Sequence, residues 1–397
     1  MEFSSVARRL RSSLGLERNI VAVSAAMFLL ALGENLWKKF LPRYLQTLGA
    51  PIRAIGLYGS VEDFLDGIYQ YPGGWLSDRL GRRAALLLFV SLALIGYVIY
   101  AVANSWPWAL VALVFAAAWS SMASPTLFAV VGDALPKQRR AIGFTVQSIL
   151  RRVPIVIAPV AGGLILARIG FARGMQAMFL ATIALAVVTL AVVSTVRLPR
   201  LQGAPTNIRG VWRSFPAPLR WLLLSDVFIR TCEALVDEFG VIYVMSIIGI
   251  SAPQYGVLIA VQTATAIVVY LPAAKIADVI GRKPFVIATF VAFALFPLAI
   301  VLAHDFSTAV AAYVIGGLRE IGEPSRKALI VDFAQPELRA RTVGLYYLIR
   351  SVAIAPAAFT GGVLWEVRPS LPFFVALIVG IFGTILFTFT VAEEHAG

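Results

Sequence analysis

The sequence has little of what chemistry in water requires. Its 397 residues include one cysteine, Cys232, and two histidines, His304 and His395. A lone cysteine excludes a disulfide framework and a thiolate metal cluster. Two distant histidines leave no histidine-based metal site or proton relay, so no metal and no cofactor is expected. Charge is also scarce: Asp, Glu, Lys and Arg together make up 14%, against roughly 25% in soluble domains. That shortfall excludes a disordered chain, a coiled coil and a water-exposed multidomain enzyme. Acid is scarcer than base, 21 residues against 34, for a net charge of +13. Nucleic-acid binders carry such an excess as basic patches on polar folds, and this composition is not polar, so no nucleic-acid partner is expected. Also missing are GxxxxGK followed by Ser or Thr, HExxH and GxSxG, so nothing supports ATP hydrolysis, zinc hydrolysis or acyl-enzyme chemistry. An enzyme is not expected.

What is abundant is apolar. Hydrophobic residues make up 59%, with a mean hydropathy of +0.84. A membrane-spanning helix needs about 20 apolar residues. Twelve such runs lie near 19–46, 54–77, 84–103, 107–132, 139–166, 171–196, 219–247, 254–277, 284–303, 307–332, 341–365 and 370–392. Helix is the expected state of each, because backbone groups in lipid must bond within their own segment. The first run continues well past a signal-peptide core and is read as a span. Basic residues then orient the chain. The head and one set of connections carry Arg8, Arg9, Arg11, Arg18, Arg79, Arg82, Arg83, Lys137, Arg139, Arg140, Arg197, Arg200, Arg209, Arg213, Arg220, Arg282, Lys283, Arg339 and Arg341. The opposite side has only Arg43, Arg53, Arg168, Arg173 and Arg368. The positive-inside bias places both termini in the cytoplasm. Trp75, Trp212 and Trp221 would mark the inner interface, and Trp106, Trp108 and Trp365 the outer.

The chain also repeats itself. Gly49, Gly56, Asp78, Gly81, Arg82, Pro136 and Arg139 recur 200 positions later as Gly249, Gly256, Asp278, Gly281, Arg282, Pro336 and Arg339. The expected architecture is an all-α integral membrane protein of twelve helices in two pseudo-symmetric six-helix bundles. The bundles would be 1–196 and 221–397, joined by a basic cytoplasmic linker, 197–220. Parallel repeats of this kind place a substrate site between the halves near the membrane midplane.

The link after the second run reads GGWLSDRLGRR at 73–83. Gly74, Leu76, Asp78, Arg79, Gly81, Arg82 and Arg83 resemble the signature loop of the major facilitator superfamily, G-x-L-a-D-r-x-G-r-r/k. The second copy, AAKIADVIGRKP at 273–284, keeps Asp278, Gly281, Arg282 and Lys283 but has Ala274 for the opening glycine. The resemblance implies a secondary transporter, with Asp78 latching one conformation against the helix that begins near Arg341. PIVIAPVAGG at 154–163 is similar to the antiporter motif of exporting members, with Pro159, Gly162 and Gly163 in place. Pro154 and Ala158 replace its leading glycines, so a bent, closely packed helix explains it equally well. The family's arginine motif on the fourth helix is absent; FAAAWSSMASP at 115–125 offers Ser120 and Ser121 instead.

Charged side chains inside a membrane are costly and must face protein or water. Runs three, six, nine and twelve hold none between their ends, and in the resembled family those four face lipid. The remaining runs hold many. Asp226, Arg230, Glu233 and Asp237 are spaced as one helical stripe, and Asp63, Asp66 and Gln70 as another. Most of these charges are expected to form strut or gate ion pairs, and a minority to bind solute or proton. The proton-coupling candidates are Asp63, Asp66, Glu233, Asp237 and Glu34, since carboxylates in clefts of low dielectric are suited to proton exchange. Arg151, Arg152, Arg350, Arg230, Arg319, Glu320, Glu323, Trp37 and Trp119 are the substrate-cavity candidates. The expected function is alternating-access transport of a small solute in a bacterial inner membrane, as a monomer, by proton-coupled efflux. The alternative is an importer of an organic anion or zwitterion, and a non-transporting receptor ranks below both.

Overall fold

The computed structural model describes residues 22–123, 140–196, 212–213, 215–334 and 339–391, with the side chains of 71, 78, 140–151, 271, 274, 278 and 339–341 outside it. The described residues are helical almost throughout and contain no strand. α1 covers 22–37 and passes through a tight turn, Lys38–Phe40, into Leu41–Thr47. α2 (Ile52–Leu80), α3 (Arg82–Val102) and α4 (Pro107–Ala117) follow. α5 is Arg140–Ile169 and α6 Phe171–Thr195. Beyond the linker come α7 (Ala217–Ala234), α8 (Asp237–Ile242), α9 (Ala252–Ile280) and α10 (Lys283–Leu302). The last are α11 (Phe306–Leu318), α12 (Glu323–Asp332), α13 (Arg339–Ile354), α14 (Pro356–Val367) and α15 (Leu371–Thr390).

Proline occupies the first turn of α4, α7, α9, α10, α12, α14 and α15. Its missing N–H costs nothing there, because that position has no intrahelical acceptor. The 200-residue repeat is visible in the backbone. Gly49 and Gly249 have φ of 79° and 84°, and Gly81 and Gly281 have 85° and 99°. A side chain is strained in that left-handed region, which accounts for glycine at both copies. Pro72 and Pro272 sit inside α2 and α9 at equivalent places. α4 loosens into a wider turn at Ala118–Met122, and at the matching place α11 stops after Leu318 and α12 restarts at Glu323.

Among the described residues, seven stretches are long and apolar enough to cross a membrane: Arg82–Val102, Arg152–Ile169, Phe171–Thr195, Ala252–Ala277, Lys283–Leu302, Thr342–Val367 and Leu371–Thr390. They include α3, α6, α10 and α15, the helices expected to face lipid. Each exposes large apolar side chains, such as Ile95, Leu180, Leu295 and Ile378, a surface that only lipid solvates well. The helices left out of the seven include those with the most intramembrane charge, α2, α7 and the α11–α12 pair.

The helices group into two compact units, whose boundaries fall just after α1 and cut α2, α5 and α6 partway along their length. The first takes α1 up to Lys38, α2 from Ile68, α3, α4, α5 up to Ala158 and α6 from Met175. Its core is aromatic: Trp37 packs 5.1 Å from both Tyr100 and Phe179 and 6.4 Å from Tyr97. Gly96 admits the Ala112 and Ala116 backbone, joining α3 to α4.

The second unit takes Lys39–Gly67, Pro159–Gly174 and the chain from α7 onward. Glycine sets its close approaches. A Cβ on Gly56 would lie 2.5 Å from the Ala358 carbonyl oxygen, and one on Gly67 2.6 Å from Ser351 Cβ. Gly163 lies against the Ala252 carbonyl and Gly256 against that of Pro159. The end of the expected antiporter motif therefore serves tight α5–α9 packing. Gly380 and Gly383 of α15 lie against Cys232, Phe228 and Ile229 of α7. Trp365 is buried against Phe239 and Phe373.

Candidate functional site

The site belongs to the second unit and begins as spacing on one helix. Asp226, Arg230 and Glu233 stand at i, i+4 and i+7 of α7, so they share a face. Arg230 Nη1 donates to Glu233 Oε2 at 2.8 Å, and its Nε lies 3.9 Å from Asp226 Oδ1. The stripe ends there. Val236, at φ −127° and ψ −14°, separates α7 from α8 and takes Asp237 off the face. Asp237 is exposed and pairs with Lys39 at 3.4 Å.

Three further segments close on this face. Arg326, in the first turns of α12, holds Glu323 with a two-pronged grip: Nε to Oε2 at 3.0 Å and Nη2 to Oε1 at 2.6 Å. Its third nitrogen, Nη1, reaches Asp226 Oδ2 at 2.5 Å. Arg230 Nη2 also donates to Glu323 Oε2, at 3.2 Å. From the gap between α11 and α12, Arg319 donates to Glu233 Oε1 at 3.1 Å and to its own Gly316 carbonyl at 2.9 Å. From α13, the Tyr346 hydroxyl and Arg350 Nη1 donate to Asp226 Oδ2 at 3.1 and 3.4 Å. Lys327 Nζ stands 3.5 Å from Glu323 Oε1.

This network is dry at its centre. Arg326 is 1% exposed and Asp226 0%, with the apolar side chains of Leu222, Ile229, Leu329 and Ile330 in the adjoining core. Burying ions costs several kcal/mol each, which only close pairing offsets. Aromatic faces support the guanidinium groups at the rim. Arg230 and Arg319 both lie 4.9 Å from the Phe293 ring centre, Arg319 also lies 4.6 Å from Phe296, and Arg350 lies 4.7 Å from Tyr347. Among the described residues, three carboxylates (Asp226, Glu233, Glu323) are shared by five bases: Arg230, Arg319, Arg326, Lys327 and Arg350.

An acidic group adjoins the network. Asp63 of α2 lies within electrostatic reach of Glu62, Asp66, Glu233 and Asp237. Gly59 makes room for Glu238, whose Cγ would lie 2.7 Å from a Cβ at that position. Glu233 thus pairs with Arg230 and Arg319 and is also within electrostatic reach of Asp63.

The remaining candidates lie elsewhere. Glu34 accepts from the Tyr97 hydroxyl at 2.6 Å, and Trp37 donates to Thr182 at 3.1 Å within the aromatic core. Trp119 is buried in the wide turn of α4. Arg152 is half-buried in α5, and Glu320 half-buried beside Arg319. The side chains of Arg151, Asp78 and Asp278, and with them the expected Asp78 latch, fall outside the described residues. In the signature loops, Gly74 is open, Arg79 stacks on Trp75, Arg83 donates to the Ser194 carbonyl, and Arg282 pairs with Asp332. Cations at helix C-termini are favourable, so these loops tie down the ends of α6 and α12. Asp226, Arg326 and Tyr346 were not among the expected site residues. The 226/230/233 and 323/326 spacings were the available signal.

The Major Facilitator Superfamily model matches residues 23–232 and 234–397. An uncharacterized MFS-type transporter of Methanocaldococcus jannaschii is 18% identical over 94% of this chain and 95% of its own length. The quinolone resistance protein NorA of Staphylococcus aureus is 24% identical, over only 37% of this chain and 38% of its own length. Among solved structures, a POT family transporter in complex with 5-aminolevulinic acid aligns with a TM-score of 0.79 at 15% identity, over 95% of this chain and 97% of that one. The nucleoside transporter NupG aligns at 0.80 and 12% identity, over 94% of this chain and all of that one. At these identities the likeness is one of fold.

Proposed function

Since the chain belongs to the Major Facilitator Superfamily and is a membrane transporter, we propose that it moves a small solute outward by alternating access in exchange for protons. The proposal takes the chain as twelve spans in two six-helix halves, 1–196 and 221–397, with linker 197–220 and both termini cytoplasmic. It takes the protein as a monomer of a bacterial inner membrane, without enzymatic activity. The repeated glycine conformations and the full-length fold likeness support two equivalent halves.

The observation that carries proton coupling is the position of Glu233. It joins a basic network to an acidic group that includes Asp63, Asp66 and Asp237. A proton delivered to Glu233 removes the carboxylate charge that holds Arg319 and one of those that hold Arg230, and so weakens the contact of α7 with the α11–α12 break. Protonation is thereby linked to the contacts that a rocking motion would exchange. Outward transport draws support from the likeness to a quinolone resistance protein and from the partial antiporter motif. The pairs Lys39–Asp237 and Arg53–Glu366 suit a gate, since each joins the first half of the sequence to the second.

The test is proton movement in proteoliposomes loaded with a pH-sensitive dye, using solutes that raise the protein's melting temperature. A solute that dissipates an imposed pH gradient only when the protein is present supports the exchange. Flux that ignores the gradient and survives replacement of Asp63, Asp66, Glu233 and Asp237 by their amides rejects it. A second reading, import of an organic anion or zwitterion, is favoured by the excess of base over acid in the network. Gradient-driven accumulation of anions would establish it.

A further inference from the structure

Among the described residues, the network contains a guanidinium whose hydrogen-bonding capacity is largely unused. A guanidinium offers five N–H donors in a planar fork. Arg326 engages both its carboxylate partners through all three nitrogens. Arg230 holds Glu233 and Glu323, and Arg319 holds Glu233 and the Gly316 carbonyl. Arg350 makes one long bond, 3.4 Å to Asp226 Oδ2, an oxygen already taken by Arg326 at 2.5 Å and by Tyr346 at 3.1 Å. Its Nε is buried and has no hydrogen-bond partner among the described residues. The side chain is 15% exposed, and its guanidinium carbon lies 4.7 Å from the Tyr347 ring centre.

We propose that Arg350 is the recognition point for the oxyanion of a small organic acid, which it grips as Arg grips carboxylates, through two parallel N–H bonds. This rests on the transporter reading and names the substrate class of that site. Two observations join the geometry. Five bases share three carboxylates, so the network carries a positive surplus that a bound anion offsets. The half-buried Tyr347 ring beside Arg350 suits a ring or apolar body on the same molecule. Asp226 does not compete strongly, because Arg326 and Tyr346 already satisfy the oxygen facing Arg350. Binding would turn Arg350 from Asp226 to the solute while the Asp226–Arg326–Glu323 centre stays intact.

The experiment is calorimetric titration of the purified full-length protein in detergent with benzoate and benzenesulfonate. Benzamide, phenyltrimethylammonium and inorganic phosphate serve as comparisons. Both aromatic anions are expected to bind, and the neutral and cationic analogues are not. Arg350→Gln should weaken the anions about tenfold or more, the scale of losing a charge-assisted bond. Arg350→Lys, which keeps the charge but loses the fork, should be weakened less, and Tyr347→Leu should weaken the anions further. The melting temperatures of the variants show whether they remain folded. Binding of phosphate but not of the aromatic acids, preference for the cation, or equal anion affinity in a folded Arg350→Gln protein would overturn the assignment. Proton-coupled flux confined to cations would reject this site and leave the exchange reading standing. Anion binding in the absence of any gradient-driven flux would do the reverse.

Discussion

Arg326 shows how much a single side chain carries. It is fully buried and bridges two carboxylates on different helices. Its replacement by leucine strips Asp226 and Glu323 of their closest buried partner, which should destabilise the protein by about 3–5 kcal/mol. The exposed Arg53, paired with Glu366, should cost less than about 1 kcal/mol on replacement by alanine. Thermal unfolding in detergent compares the two, and equal losses would contradict the buried network. Asp305 permits a pH prediction outside the membrane. It caps α11, accepting from the Thr308 backbone N–H at 2.8 Å and the Thr308 hydroxyl at 2.7 Å. Those hydrogen bonds, the backbone one foremost, hold its carboxyl below the ordinary carboxylate range. A depressed carboxyl stabilises the fold above its unfolded pKa, near 3.9, and the benefit is lost as pH falls through the folded value. Amide exchange at the start of α11 should therefore stay slow down to about pH 4 and quicken only in stronger acid. Asp305→Ala should remove that acid step and speed exchange at neutral pH.

At the scale of elements, the sequence was legible wherever length and hydropathy sufficed. The runs at 84–103, 171–196, 284–303 and 370–392 correspond to α3, α6, α10 and α15 within two residues at each end. The interruptions within the other runs were not foreseen, among them two at the site. The break between α11 and α12 has a local signal, because Gly322 and Pro324 flank Glu323 as a stop and a start. The Gly322 N–H, freed from the helix ladder, finds Thr289 Oγ1 at 2.6 Å. The break at Leu235–Val236 has none: neither residue disrupts a helix, and the visible correlate is tertiary, the approach of Gly361 to the Leu235 carbonyl. Contacts of this kind do not appear in hydropathy. They do make a prediction, since Gly56 touches the backbone of α14 through Ala358 and Phe359. Gly56→Val should separate α2 from α14 at a cost of about 1–3 kcal/mol, read as a lower melting temperature. No change would mean that the two helices are not closely packed.

For the whole molecule, scarcity of charge identified the solvent as lipid, and the paired signature loops identified the family. The site was only partly legible. Spacing placed Asp226, Arg230 and Glu233 on one face, yet no periodicity could reveal that Arg326 and Tyr346 close on Asp226 from other helices. Their partnership depends on tertiary packing across about 100 residues of chain or more. Glu233, shared by the basic network and the acidic group, is the point on which the account rests. The direct test compares net transport with exchange in reconstituted Glu233→Gln protein, using a solute that stabilises the wild type. The account predicts that gradient-driven net flux disappears while solute-for-solute exchange continues without a pH gradient. Gradient-driven flux that persists unchanged in the Glu233→Gln protein would contradict it.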